Sequence, residues 1–238
     1  MNYNETKELY KRVNEKNILV QHVCEVGVYL PQTSNIINFI EEGTRSTLVE
    51  PDKNNIKAIK NYFGKYNITI HPVAIYDYTG KLELIHYAAS TFAAPLKSSP
   101  ALENEKENLK DKKKIEVECQ TFNEIDDGLI DLLSIDTEGS EWFVLKYMLS
   151  RPKVISIETH GKSYLNPFIN EINSWMKNNN YEIWYKDLTD TVFIKMGITK
   201  LTVIEIIQIY FISFKINWRR IKYRFKRNIF NKNKCNKK

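Results

Sequence analysis

A chain of 238 residues with 42% hydrophobic content is long enough to bury a sizeable core without disulfides or metal. Cys24, Cys119 and Cys235 show neither disulfide nor metal-ligand spacing, and the start MNYNETKELYKRV lacks the apolar run of a signal peptide, which predicts a non-secreted, cytoplasmic protein. The formal net charge is +6, but residues 206–238 hold eleven Lys or Arg and no Asp or Glu, so the rest of the chain is net acidic and the basic character belongs to one appended element.

Residues 1–17 read as a polar N-terminal helix. From Ile18, strand-length apolar runs alternate with segments of helical period, the pattern of a parallel sheet covered by helices. ILVQHVCEVG is the first strand; Pro31, Thr33 and Ser34 start a helix that buries Ile36, Ile37 and Ile40 and stops at Gly43. STLVE ends at Glu50, and a second helix runs from about Asp52 with Ile56, Ile59 and Phe63 on one stripe and Gly64 at its end. A third strand lies near ITIHPVAIYD. Gly80 turns the chain into KLELIHY, after which residues 88–114 lose periodicity and read as an inserted, mobile loop. IEVECQ resumes the sheet, and IDLLSID reads as a strand buried on both faces. A helix over Ser140–Leu149, the strand KVISIETH, a helix opened by Asn166 and Pro167, and a hairpin of YEIWY with TVFIK complete a domain over 18–197. The expected fold is α/β and Rossmann-like, a mostly parallel sheet ending in an antiparallel hairpin. Residues 198–238 form a basic tail.

In an open α/β sheet, ligands bind beyond the carboxyl ends of the strands. Those ends carry Glu25 with Gly27, Glu50, Asp77, Asp136 with Glu138, and Glu158 with His160, an acidic rim. The dinucleotide template G-x-G-x-x-G, placed on Gly27, meets Tyr29 and Gln32, so NAD and FAD fit poorly. S-adenosylmethionine, with a sulfonium, an ammonium and a ribose diol but no phosphate, suits such a rim. Glu50 is placed to accept the ribose hydroxyls and Gly27 to let the backbone approach the methionine part. The structural alternatives are a helix cap or solvated turn for Glu50, a core-edge carboxylate bonded to backbone amides for Glu25, and a simple turn for Gly27.

IDLLSIDTEGSEWFVLK, with VEPD upstream, resembles the FkbM-type family of S-adenosylmethionine-dependent O-methyltransferases. The matching residues are Asp136, Glu138, Gly139 and Glu141 in a D-x-E-G-x-E block, Val49, Glu50 and Pro51 in a V-E-P step, and TFNEI at 121–125; the likeness spans roughly 18–197. It implies the class I methyltransferase fold, with Glu25, Gly27 and Glu50 binding the cofactor and Asp136 and Glu138 lining the junction of cofactor and acceptor. Tyr29 and Asp77, from their places at the strand ends, are expected as further cofactor contacts, and Thr91 and His160 as acceptor contacts. The chain departs from the family at V-Y-L-P from Val28, where a second glycine is usual, and Tyr29 and Pro31 are expected to reshape the methionine pocket. Positioning for an in-line attack supplies roughly 7–11 kcal/mol of such a barrier. His160, beside Glu158 and with Asp136 nearby, is the expected base, the alternative being a loop histidine bonded to a carboxylate. Asp136, Glu138, Glu158 and His160 are also the set that could hold one divalent cation to orient the acceptor oxygen; such a metal is possible but not predicted.

In the tail, Ile204, Ile207, Phe211, Phe214, Trp218, Ile221 and Phe225 fall on one helical stripe with Arg219, Lys222 and Lys226 opposite. The apolar first half is too short, and with Glu205 and Gln208 too polar, to span a bilayer. It reads as a helix lying on an anionic membrane through residues 204–227, against packing on the body, pairing of subunits or binding nucleic acid, the last disfavoured because no recognition module accompanies it. The expected protein is a peripheral O-methyltransferase at the inner membrane face acting on a sugar or lipid-linked glycan. Its rivals are a methyltransferase of a soluble small molecule and a non-catalytic membrane scaffold with a degenerate cofactor site.

Overall fold

A computed structural model describes residues 6–87, 90–96, 98–99, 113–161 and 164–235, with the side chains of the last helix described to Tyr223. Helix α1 (Glu8–Glu15) buries Leu9 and Val13. Strand β1 (His22–Val26), buried throughout, leads through a 3-10 turn (Pro31–Thr33) to α2 (Ile37–Glu41). This helix starts later than Pro31 suggests, because Ser34 Oγ and the Asn35 N–H both donate to Glu25 and hold the chain out of helical geometry. Strand β2 (Arg45–Val49) is followed by α3 (Lys53–Phe63), whose N-cap Asp52 accepts from the Asn54 and Asn55 N–H groups. Ile59 and Phe63 on its inner stripe are fully buried, about 1.5–3 kcal/mol each.

The run ITIHPVAIYD is two strands, not one: β3 (Ile68–His71) and β4 (Ala74–Ile75) lie in different sheets. Pro72 between them has no N–H to continue a ladder. Strands β5 (Gly80–Tyr87), β6 (Ser90–Ala93) and β7 (Lys113–Gln120) join β4 in a four-stranded sheet of order β4-β7-β5-β6. IEVECQ therefore does not resume the main sheet; its alternation of polar and apolar residues suits an antiparallel strand with one solvated face. The expected loop over 88–114 likewise contains β6 and the start of β7. The mobility expected of 88–114 falls, over 88–89, 97 and 100–112, on residues outside those described.

Strand β8 (Leu132–Ile135), helix α4 (Glu141–Lys146), β9 (Val154–Glu158), α5 (Ile169–Asn178), β10 (Tyr181–Lys186) and β11 (Asp190–Lys195) complete the domain. Asn166 caps the turn before α5 rather than the helix itself, accepting from the Phe168 N–H at 2.9 Å. The main sheet has seven strands in the order β3-β2-β1-β8-β9-β11-β10. All its pairs are parallel except those made by β11, which runs antiparallel between β9 and β10 as the expected hairpin requires. Side chains alternate between two cores: Val23 and Leu132 pack with Leu9, Ile40 and Phe63 on one face, Cys24 and Leu133 with Val144, Ile155 and Ile172 on the other.

The last helix, α6 (Val203–Cys235), lies against β10. Glu205, a polar flaw in the sequence pattern, is its anchor: it accepts from Trp184 Nε1 at 3.0 Å, Lys16 Nζ at 2.9 Å and the Thr202 N–H at 2.7 Å. Burial works to raise its pKa, but these bonds outweigh it and hold the carboxyl at about 2. Ile216 is buried, whereas the stripe stays outside, with Phe211 72% and Phe214 69% exposed. Among the described residues no helix is long and apolar enough to cross a membrane.

Candidate functional site

From β1 the chain builds β2 and β3 on one side and returns to place β8 on the other, so a crevice opens where the strand order reverses. A cleft of about 430 Å³ occupies it, walled by Glu25, Gly27, Tyr29, Glu50, Asp136 and Asp190 and roofed by Leu82, Leu84 and Thr91 of the second sheet.

Gly27 has φ +87, and a Cβ there would sit 1.8 Å from the Asp136 carbonyl oxygen. Only glycine permits β1 and β8 to approach so closely at this point. Two residues on, Tyr29 takes φ +57, a conformation costly for a bulky residue. Its N–H donates to Glu50 Oε2 at 2.8 Å, so the V-Y-L-P segment keeps a left-handed turn without the usual glycine. Glu50 Oε1 accepts from the Asp52 N–H at 2.9 Å and Asn55 Nδ2 at 3.3 Å. A carboxylate has about four acceptor positions, and three are taken, which leaves Oε2 the freer oxygen. Burial raises the pKa of Glu50, and these hydrogen bonds oppose the rise. Glu25 clamps the segment after the turn, accepting from Ser34 Oγ at 2.5 Å and the Asn35 N–H at 2.7 Å. Burial exceeds the effect of those bonds and pushes its pKa up to about 7.

Beyond β8, the chain reverses sharply through Glu138 (φ +56) and Gly139 (φ +114). Glu141, in the first turn of α4, staples that reversal: Oε1 accepts from the Thr137 and Gly139 N–H groups, both at 3.0 Å, and Oε2 from Asn166 Nδ2. The second acid of the D-x-E-G-x-E block thus shapes the turn that carries Glu138. Asp136, Glu141 and Glu158 each bring an oxygen within 4.8 Å of the others, but Glu141 is already engaged, so Asp136 and Glu158 are left to share the pocket. Glu158 Oε2 is buried and has no hydrogen-bond partner among the described residues. Burial and then the carboxylates of Asp136 and Glu138 hold the Glu158 pKa far above its ordinary value. Asp136 is raised in the same way, and the strongest charged influences on it, Asp190, Glu138, Glu141 and Glu25, are all acidic.

The structure brings Glu25, Gly27, Tyr29, Glu50, Thr91, Asp136 and Glu138 to the cleft and places Glu158 behind Asp136. Asp77 lies outside, exposed and paired with Lys146, which lowers its pKa; the split at Pro72 carried it into the second sheet's edge. His160 does not line the cleft. It is 3% exposed, and Nε2 donates to the Asp187 carbonyl at 3.2 Å while Nδ1 lies 2.8 Å from Thr159 Oγ1. Burial lowers its pKa, which leaves it neutral with both nitrogens occupied in the wall. It is also absent from the carboxylate triad, so the expected cation set of Asp136, Glu138, Glu158 and His160 is not what the fold assembles. Thr91 instead meets a different histidine: its Oγ1 is 2.8 Å from His86 Nδ1, and His86 Nε2 is 3.1 Å from Asp52 Oδ2.

Sequence reasoning missed Asp190, His86 and the role of Glu141. An acid in the first turn of a helix, reaching back to backbone N–H groups, is a recognisable capping pattern and would have found Glu141. Nothing local marks Asp190 or His86, whose positions depend on strand pairing.

A mostly parallel seven-stranded sheet closed by an antiparallel hairpin, with an acidic cleft at the switch point and no phosphate-binding glycine loop, defines a class I, Rossmann-like methyltransferase. The chain belongs to the FkbM methyltransferase family: residues 25–183 match the Methyltransferase FkbM domain. Membership implies S-adenosylmethionine as the methyl donor, and the Gly27 approach and the acidic wall fit it. Solved structures to which the chain is similar include an inferred RNA methyltransferase from Pyrococcus horikoshii, at 9% identity over 79% of this chain and 80% of that one with a TM-score of 0.43. An inferred caffeoyl-CoA O-methyltransferase from Staphylococcus aureus has 15% identity, the same two coverages and a TM-score of 0.43. The precorrin-6y C5,15-methyltransferase of Geobacter metallireducens has 13% identity over 82% of this chain and 92% of that one, with a TM-score of 0.38. No curated protein matches the chain by sequence.

Proposed function

We propose that the protein methylates a hydroxyl of a sugar or lipid-linked glycan at the cytoplasmic face of an anionic membrane. The observation that carries the reading is the cleft wall, where Glu25, Glu50, Asp136 and Asp190 surround about 430 Å³. Such a hollow favours a cationic occupant, because each carboxylate regains its ionised form when a positive charge enters. When bound, S-adenosylmethionine supplies an electrophilic methyl carbon on a sulfonium centre. Gly27 admits the donor close to the backbone, and Oε2 of Glu50, oriented by the Tyr29 N–H, is available to a ribose hydroxyl. Thr91 faces the acceptor side. With His86 Nε2–H donated to Asp52, Nδ1 is left to take the Thr91 hydroxyl proton as Thr91 takes that of the acceptor. This route replaces His160 as the base. The exposed stripe of α6 supports the membrane setting.

The donor site is tested by thermal-shift titration with S-adenosylhomocysteine. At 100 times its dissociation constant the ligand should stabilise the intact protein by about 2.7 kcal/mol. Glu50→Gln, which keeps an acceptor for the Tyr29 N–H but removes charge and turns an amide NH2 toward the Asp52 N–H and Asn55 Nδ2, should weaken binding by about tenfold and also lower the ligand-free melting temperature. An intact protein that shows no shift at any concentration ends the reading.

A further inference from the structure

A second concavity, of about 500 Å³, lies between α1, β10 and α6, away from the methyltransferase cleft; Arg12, Tyr185, Lys186 and Lys215 line it, with Phe211 and Phe214 at its α6 wall. Its charge is unbalanced. Arg12 lies 4.4 Å over the Tyr185 ring and pairs through Nε with Glu8, which leaves its terminal N–H groups for another partner. Lys186 is half-buried on β10, and among the described residues no carboxylate pairs with its ammonium. Burial alone lowers its pKa, with no acid offsetting the effect. A cation held out of water without a counter-ion is costly unless an anion arrives. The apolar side of the concavity runs directly into the exposed stripe, where Phe214 stacks on Trp218 with centroids 6.3 Å apart.

We propose that this groove binds one phosphate-headed lipid, the phosphate between Arg12, Lys186 and Lys215 and an acyl chain along Phe211 and Phe214. The proposal rests on the membrane reading of α6 for the source of its ligand, but the site itself is defined by the three cations. Charge complementarity selects the occupant: a neutral amphiphile would leave Lys186 uncompensated, a zwitterionic headgroup would bring its own cation against Arg12, Lys186 and Lys215, and a free phosphate would leave the aromatic wall in water. The groove therefore gives the membrane contact a chemical preference, for exposed phosphate rather than for negative charge in general.

The test uses the full chain with monomeric dihexanoyl phosphatidate, dihexanoyl phosphatidylcholine and inorganic phosphate, followed by flotation with vesicles of phosphatidylcholine alone or mixed with phosphatidate. The short-chain phosphatidate should bind at least about tenfold more tightly than either other probe. Lys186→Gln should remove that preference, while Lys186→Arg keeps it and Lys222→Gln, outside the groove, leaves it unchanged. Equal phosphatidate binding by wild type and Lys186→Gln, or phosphate binding as tight as phosphatidate, overturns the lipid site. So does a failure of wild type to bind the short-chain lipid. Flotation separates the two readings: a chain that binds short-chain phosphatidate but never floats keeps the groove and loses the membrane role. A chain that floats equally well as Lys186→Gln keeps the membrane role and loses the groove.

Discussion

Asp190, the first residue of β11, stands directly opposite Glu158, the last residue of β9. Because β11 is antiparallel to its neighbours, its beginning lies where their carboxyl ends lie, and the hairpin delivers a carboxylate to a rim that parallel strands supply only with their last residues. Burial and the nearby Asp187 raise the Asp190 pKa. With Asp136 and Glu158 it makes an acidic corner that favours protonated carboxyls until a cation enters.

Stability should depend on pH through Glu25. Its folded pKa is about 7 against 4.5 for the free side chain, so the folded protein retains a proton that the unfolded chain releases. Between those values stability must fall as pH rises, by on the order of 3 kcal/mol in all. Denaturant midpoints measured across the range should show the decline, and Glu25→Gln, neutral at every pH, should make it shallower by that amount, the rest coming from the other raised carboxyls such as Asp190.

Gly27→Ala should destabilise the protein by at least about 3 kcal/mol, since the added Cβ, fixed in place by its own backbone, would sit 1.8 Å from the backbone carbonyl oxygen of Asp136. Gly43→Ala is the control. Gly43 has a similar φ of +86 but open space around it, so only the conformational cost of about 1–2 kcal/mol applies. Comparable losses at the two sites would show that contact between β1 and β8 is not what Gly27 serves.

Glu141→Ala leaves the Thr137 and Gly139 N–H groups without their acceptor and should cost about 2–4 kcal/mol. Because the turn also carries Glu138 into the cleft, affinity for S-adenosylhomocysteine should drop as well. Calorimetry on Glu141→Gln, which retains one acceptor oxygen, should find an intermediate loss in both quantities.

For the tail, Phe211→Glu combined with Phe214→Glu should abolish flotation with anionic vesicles and leave the melting temperature within about 0.5 kcal/mol equivalent of wild type, because both rings are exposed. Vesicle binding that survives the double substitution would remove the stripe from the membrane contact.

The legible parts of the site are those set by local pattern. Glu25, Glu50 and Asp136 each terminate an apolar run, and the inner stripe of α3 together with its cap at Asp52 follows from spacing of 3.6 residues and an oxygen before the first turn. The stripe of α6 was equally plain. Errors came where a run was continuous in sequence and broken in space: Pro72 divides ITIHPVAIYD between two sheets and takes Asp77 to the surface. His160 follows its strand end as expected, yet the ring turns into the wall toward Thr159 and the Asp187 carbonyl.

The order of apolar and polar residues by itself determined the α/β class, the family motif, and most of the acids at the rim, because strand ends and helix caps are short-range features. Tertiary structure alone decided that Asp190 completes that rim, that His86 rather than His160 meets the Thr91 hydroxyl, and that Glu205 anchors the last helix. Each of those depends on which strands and helices become neighbours, and that choice is made by the burial of whole faces over long separations, which no local window of residues contains.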